Sequence, residues 1–345
     1  MLLHWLKQAV LAGASDLHLS AGRRPSLRHL GDIVPLGSAL VTREEAQGMA
    51  QQVLQWLAAS DTPEPGASLP QDCDGAFHVP ELGRFRANLF QHAEGHAMVL
   101  RLIPSKLPPL ASLGLPEVVT SWLGQPQGLV LVTGPTGSGK STTLACLVQQ
   151  LNAQQRLHIV TLEDPIEYLH TSAQCLIHQR EIQRHTTSFE QGLRSALRED
   201  PDILLVGELR DLNSIRWALT AAETGHLVLA TLHTRGAAQT VSRLVDGFPG
   251  EEKNLVRQQL SQSLVGVLSQ ILCKTRQGDA RVAAFEVLVA TPAVRHLIRE
   301  DKVAQLHNTL QTSAAQGMRS LTQDLQRLQA LGKISAASGH SHPVL

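Results

Sequence analysis

The stretch Gly134-Pro135-Thr136-Gly137-Ser138-Gly139-Lys140-Ser141, followed by Thr142, constrains this chain more than any other. Residues 128–133, Gly-Leu-Val-Leu-Val-Thr, form an apolar, β-rich run of the kind that makes a parallel strand buried on both faces. Residues 141–151 then carry Leu144, Leu147, Val148 and Leu151 on one helical face. Strand, glycine-rich loop and helix, with the spacing G-x-x-x-x-G-K-S, make a P-loop, a cradle for the phosphates of a nucleoside triphosphate such as ATP. The glycines let backbone N–H groups turn inward, and the helix N-terminus adds partial positive charge. Lys140 is placed to reach the β- and γ-phosphates, and the Ser141 hydroxyl to ligate Mg²⁺. Residues 134–142 are therefore the expected nucleotide-binding set.

A length of 345 residues points to two domains. Formal net charge is zero and aromatic content 3%, which argues against a basic nucleic-acid surface and against base stacking, so no nucleic-acid partner is expected. The four cysteines, Cys73, Cys146, Cys175 and Cys273, are scattered without a C-x-x-C pair, which disfavours a zinc site or disulfide framework and fits a reducing compartment. No apolar run reaches the roughly 18 residues that span a bilayer. The N-terminal residues 2–11 read as an amphipathic helix and not a signal peptide, so a cytoplasmic protein is expected.

Along the chain, residues 1–108 read as an α+β unit. A short strand at 15–20 comes first, then a helix through 57 opened by the capping box Thr42-Arg43-Glu44-Glu45. A loop at 60–70 and three antiparallel strands at 76–79, 83–90 and 95–103 follow. Four prolines and a glycine between 104 and 116 read as a linker, placed at 109–116. Residues 117–334 alternate strand and helix, the pattern of a parallel sheet covered by helices. Strands are expected at 158–162, 202–206, 227–232 and 281–289. Helices are expected at 212–223, 236–245, 251–272, 292–299 and 321–331, with a mobile tail at 335–345.

Acids gather at the predicted strand ends. Glu208 closes the apolar run Leu204-Leu205-Val206-Gly207, where P-loop folds place an acid toward Mg²⁺ and the attacking water. Glu163, Asp164 and Glu167 share one turn after another strand, where they can hold Mg²⁺ through water and orient the nucleophile. Ser141, Glu208 and Asp164 are the metal-ligand candidates. His226 and His233 flank the 227–232 strand, and either can contact the γ-phosphate or hydrogen-bond a turn. Arg84 and Arg86 share one face of a strand, positioned either to reach a neighbouring subunit's phosphate or simply to meet water.

Taken together, these segments resemble one family. Residues 134–141 look like its Walker A box, 161–168 its Asp box, 197–211 its Walker B segment, and 221–226 with 232–234 its His box. The family is the type II/type IV secretion ATPase superfamily. Ser15-Asp16-Leu17-His18-Leu19 and Ala293-Val294-Arg295-His296-Leu297-Ile298-Arg299-Glu300 are similar to signatures of its twitching-motility retraction branch, with Val294 and His296 as departures. Arg235, after the His box, also departs from the usual small polar residue. The resemblance implies a RecA-like P-loop ATPase domain behind a smaller, PAS-like α+β domain. It implies a homohexamer with ATP between subunits, working on an inner-membrane pilus platform protein. It makes Glu167 the first candidate for the catalytic glutamate and Glu163 the second. It also favours Arg84, Arg86 and Arg101 as arginine fingers, and the 293–300 helix as an element of retraction. An accessory paralogue that binds ATP and modulates a true motor is the alternative reading. A nucleic-acid translocase is disfavoured by the neutral charge.

Overall fold

The apolar–polar alternation at Asp16–Ser20 becomes strand β1 of a six-stranded antiparallel sheet. It is joined by β2 (Ser26–His29), β3 (Asp32–Pro35), β4 (Asp72–Val79), β5 (Gly83–His92) and β6 (Gly95–Ile103), in the order β3-β2-β1-β6-β5-β4. This computed structural model describes residues 1–58, 71–103 and 106–335. The expected loop at 60–70 and all but the first residue of the expected tail lie outside the described residues. One face of the sheet carries Leu17, Leu19, Phe85, Ala87, Met98 and Leu100, packed with apolar residues of the helices Leu2–Leu11 and Arg43–Ala58. The second helix opens as its capping box requires: Thr42 Oγ1 accepts from the Glu45 amide at 3.2 Å, and Glu45 Oε2 accepts from the Thr42 amide at 2.9 Å.

The chain divides into Met1–Lys106 and Leu107–Leu345. The proline-rich segment is packed, not free: Leu110 and Leu115 lie against the second unit's core, and the Pro108 carbonyl accepts from the Cys146 thiol at 3.3 Å.

The second unit holds β7 (Gly128–Thr133), β8 (His158–Glu163), β9 (Leu176–Glu181), β10 (Ile203–Val206), β11 (Leu227–Leu232), β12 (Leu264–Lys274) and β13 (Arg281–Val289). Their order is β13-β12-β7-β11-β10-β8-β9, parallel throughout except at β12/β13. Alternate residues of β7, β8 and β10 serve two cores. Leu129, Leu131, Val160, Leu162 and Leu204 face the helices Phe189–Ala196, Leu212–Glu223, Ala237–Asp246 and Lys253–Ser263. Val130, Val132, Ile159 and Leu205 face Leu144, Leu147, Val148 and Leu151 of the helix Lys140–Gln154. Burial on both faces is why these strands read as unbroken apolar runs.

One expectation is corrected. Residues 251–272 do not form a single helix. The helix stops at Ser263 and β12 begins at Leu264. Periodicity cannot separate a fully buried strand from a buried helix, and the β-branched Val265, Val267 and Ile271 decide the matter. Gly266 also has no room for a side chain, since a Cβ there would sit 2.4 Å from the Trp122 ring.

Candidate nucleotide site

Three strand ends meet at one edge of this sheet. β7 runs into the glycine-rich loop, whose Gly134, Gly137 and Gly139 have φ of +141°, +76° and +89°. At Gly134 the requirement is doubled, because a Cβ would lie 2.2 Å from the Gln270 carbonyl oxygen. The helix then starts at Lys140, leaving its first-turn amides without helical acceptors and directed at the loop.

Lys140 is buried, with 8% of its surface exposed. Its Nζ donates to the carbonyls of Gly134 at 2.8 Å and Pro135 at 3.0 Å, and stands 3.4 Å from His233 Nδ1. Burial pushes the ammonium down to about 8 from the ordinary 10.5, against the pull of Glu208 and Glu167. The folded chain therefore holds this proton less tightly than the unfolded chain. Unfolding takes up protons between about pH 8 and 10.5, so this site's contribution to stability rises with pH across that window. Below pH 8 the burial cost is present in full. Lys140→Ala is accordingly expected to melt at a higher temperature than the wild-type chain at pH 7, with the gap closing toward pH 10. Paired thermal melts at the two pH values check this.

β10 delivers Glu208. Gly207 is wedged beside β8, its amide donating to the Leu162 carbonyl at 2.7 Å, and a Cβ there would come within 3.2 Å of that oxygen. On the other side the Thr231 hydroxyl donates to the Gly207 carbonyl, and the Leu209 amide donates to the Thr231 carbonyl at 3.0 Å. Glu208 is thus pinned between β8 and β11. Its Oε1 accepts from His233 Nε2 at 3.0 Å. A carboxylate cannot donate, so Nε2 carries the proton and Nδ1 is free to face Lys140 and, at 3.5 Å, Thr136 Oγ1. His233 so links the loop to the strand-end acid.

The end of β8 and the turn after it supply the remaining acids. Glu163 Oε1 accepts from Thr161 Oγ1 at 2.7 Å and Gln179 Nε2 at 3.1 Å, and burial raises its carboxyl above the usual range. Glu167 lies close enough to Lys140 to raise that lysine's proton affinity. Tyr168 hydroxyl and Thr142 Oγ1, 2.9 Å apart, tie this turn to the P-loop helix. Asp164 faces Arg210, whose Nη1 donates to its Oδ2 at 3.2 Å.

Not every candidate gathers here. His226 precedes the six-residue β11 and His233 follows it, so seven residue steps at ~3.3 Å each put them about 23 Å apart. His226 Nδ1 instead lies 3.1 Å from the Ala221 carbonyl, at the end of the helix Leu212–Glu223. This is the turn-bonding alternative. Arg84, Arg86 and Arg101 belong to the first unit. Arg86 stands directly opposite Arg101 across β5 and β6, and Asp16 offsets their repulsion by accepting from Arg101 Nε at 2.8 Å. Among the described residues no carboxylate pairs with Arg84 or Arg86. The retraction-like segment forms the helix Pro292–Arg299, where Arg295 donates to the carbonyls of Ser261 at 2.7 Å and Ala290 at 3.0 Å.

Two residues escaped the sequence reading. Gln270 on β12 is buried against the loop, its Nε2 donating to the Ser138 carbonyl at 2.7 Å and its Oε1 accepting from Thr143 Oγ1 at 3.0 Å. Arg210 sits between two acids. Its place two residues after Glu208 was the available signal.

The phosphate cradle and a buried lysine resting on replaceable carbonyl contacts suit the phosphates of a nucleotide. The Type II/IV secretion system protein family matches residues 1–333. The chain is 50% identical over 323 residues to the type IV pilus retraction ATPase PilT of Pseudomonas aeruginosa, covering 94% of this chain and 92% of that one. It is 48% identical over 311 residues to a twitching motility protein of Neisseria gonorrhoeae, covering 90% and 82%. A crystal structure of the pilus retraction motor PilT with bound ADP superposes with a TM-score of 0.82 at 41% identity, covering 97% and 95%.

Proposed function

Because the chain belongs to the Type II/IV secretion system protein family, we propose that it is an ATP-hydrolysing motor that drives type IV pilus retraction. The observation that carries this reading is the convergence of Lys140, His233, Glu208 and the Glu163–Glu167 turn at one sheet edge. The loop amides and Lys140 bind the β- and γ-phosphates, with residues 134–142 as the cradle. Ser141, Glu208 and Asp164 would hold Mg²⁺, which when bound would supply charge neutralisation at the transferring phosphoryl group. Glu167 orients the attacking water and accepts its proton, while Glu163 stays bound to Thr161 and Gln179 and shapes the turn. His233 reports occupancy of the loop to Glu208 through its two ring nitrogens.

Completion of the site by a neighbouring subunit fits the arginines. Arg84 and Arg86 approach a neighbour's phosphates in a homohexamer and stabilise the charge developing in the transition state. Arg101, held by Asp16, keeps its strand in register and lends its charge at longer range. The work is delivered to a pilus platform protein at the cytoplasmic side of the inner membrane. Among the described residues no helix is long and apolar enough to cross a membrane, which suits a docked motor.

Deletion of the gene in its host tests this directly. The expected result is loss of twitching with surplus surface pili, restored by the wild-type chain and not by Lys140→Ala. Normal twitching after deletion would contradict it. Failure to restore a strain lacking its main retraction motor would point to the accessory role instead.

A further inference from the structure

Both carboxylate oxygens of Glu208 are engaged by cations or donors of this chain. His233 Nε2 donates to Oε1 at 3.0 Å, and Arg210 Nε donates to Oε2 at 2.7 Å. The same guanidinium reaches Asp164 Oδ2 through Nη1 at 3.2 Å. Arg210 thus bridges the acid at the end of β10 and the turn after β8. The planar fork explains the choice of arginine, because one lysine ammonium is a point charge and cannot span the two acids in this way. Arg210 is 53% exposed in its side chain, whereas Glu208 is 19% exposed, so the arginine has water to move into and the glutamate does not.

A divalent magnesium ion takes oxygen ligands at about 2.0–2.1 Å, and a guanidinium seated on Glu208 Oε2 and Asp164 Oδ2 opposes its approach by like charge and by the space it fills. A guanidinium N–H and the metal cannot use the same lone pair. We propose that Arg210 is an intramolecular competitor for Mg²⁺, a positioning residue that holds Glu208 and Asp164 together until the metal displaces it into solvent. This inference rests on the reading of Ser141, Glu208 and Asp164 as the metal site. In this arrangement the arginine sets how much nucleotide affinity the metal adds. It keeps two acids paired and in place, and it releases them only when a metal-bearing nucleotide occupies the loop.

Binding, not turnover, tests it. A fluorescent methylanthraniloyl derivative of a non-hydrolysable ATP analogue is titrated into the full chain, once with magnesium chloride and once with EDTA. The measured quantity is the dissociation constant in EDTA divided by that in magnesium. The probe's own magnesium complex is common to all variants and cancels between them. Arg210→Gln is expected to raise this ratio about three- to tenfold, the scale of two partly exposed ion pairs removed, with the EDTA affinity unchanged. Arg210→Lys, which keeps the charge but loses the fork, is expected to fall between. An unchanged or smaller ratio in both variants overturns the proposal. So does loss of the EDTA affinity in both, which would place Arg210 in the nucleotide pocket itself. A wild-type ratio of one removes the metal assignment and this inference with it, a result distinguishable because it needs no variant.

Discussion

Glu167→Gln is expected to lower ATP turnover by about 10²–10⁴-fold while nucleotide affinity stays within a small factor of wild type. The substitution keeps shape and hydrogen-bonding capacity but removes the group that takes the proton from the attacking water. Two acids, Glu163 at the end of β8 and Glu167 on the turn after it, compete for that role, and their surroundings separate them. Glu163 is buried and its Oε1 already accepts from Thr161 on β8 and Gln179 on β9, so that oxygen is engaged in holding the two strands. Glu167 lies within electrostatic reach of Lys140, the residue expected to contact the phosphates. Glu163→Gln is therefore expected to cost less turnover than Glu167→Gln. Phosphate release and nucleotide titration on both variants decide the order.

Lys140→Ala has the second large effect, a loss of about 10²–10³-fold in turnover, the scale of one preorganised charge removed from the phosphates. The ammonium rests on the Gly134 and Pro135 carbonyls, contacts that a phosphate can replace with a stronger charge-assisted one. Burial lowers its proton affinity, so an anionic ligand beside it would favour the charged form. By the same burial the variant is expected to be more stable than the wild-type chain below pH 8. Gain in stability with loss of turnover is the pattern of a site strained for function rather than of a damaged fold.

The parts of this site carried by local chemistry were readable from residues alone. The loop and the helix at Lys140 follow from glycine spacing and a lysine before a serine, and Thr42 announces its helix through Glu45 three residues on. The strands β7, β10 and β11 declare themselves as apolar runs because both faces are buried. That same property hid β12, which continues a helix of similar composition, and with it Gln270. β9 was missed as well, since an edge strand reading Leu-Ile-His-Gln-Arg-Glu has neither a continuous apolar run nor clean alternation. The separation of His226 from His233 follows from the length of β11 alone, yet similarity of residue type grouped them. Arg210 needed the fold: its two acids lie 2 and 46 positions away in the chain, and only the parallel pairing of β8 with β10 brings them to one guanidinium.

The central claim is that the sheet edge around Lys140 hydrolyses ATP. Phosphate release by purified wild type, Lys140→Ala and Glu167→Gln, measured side by side with magnesium and saturating ATP, tests it most directly. The account predicts steady release by the wild type and a drop of at least about 10²-fold in both variants. Wild-type release from Lys140→Ala would contradict it.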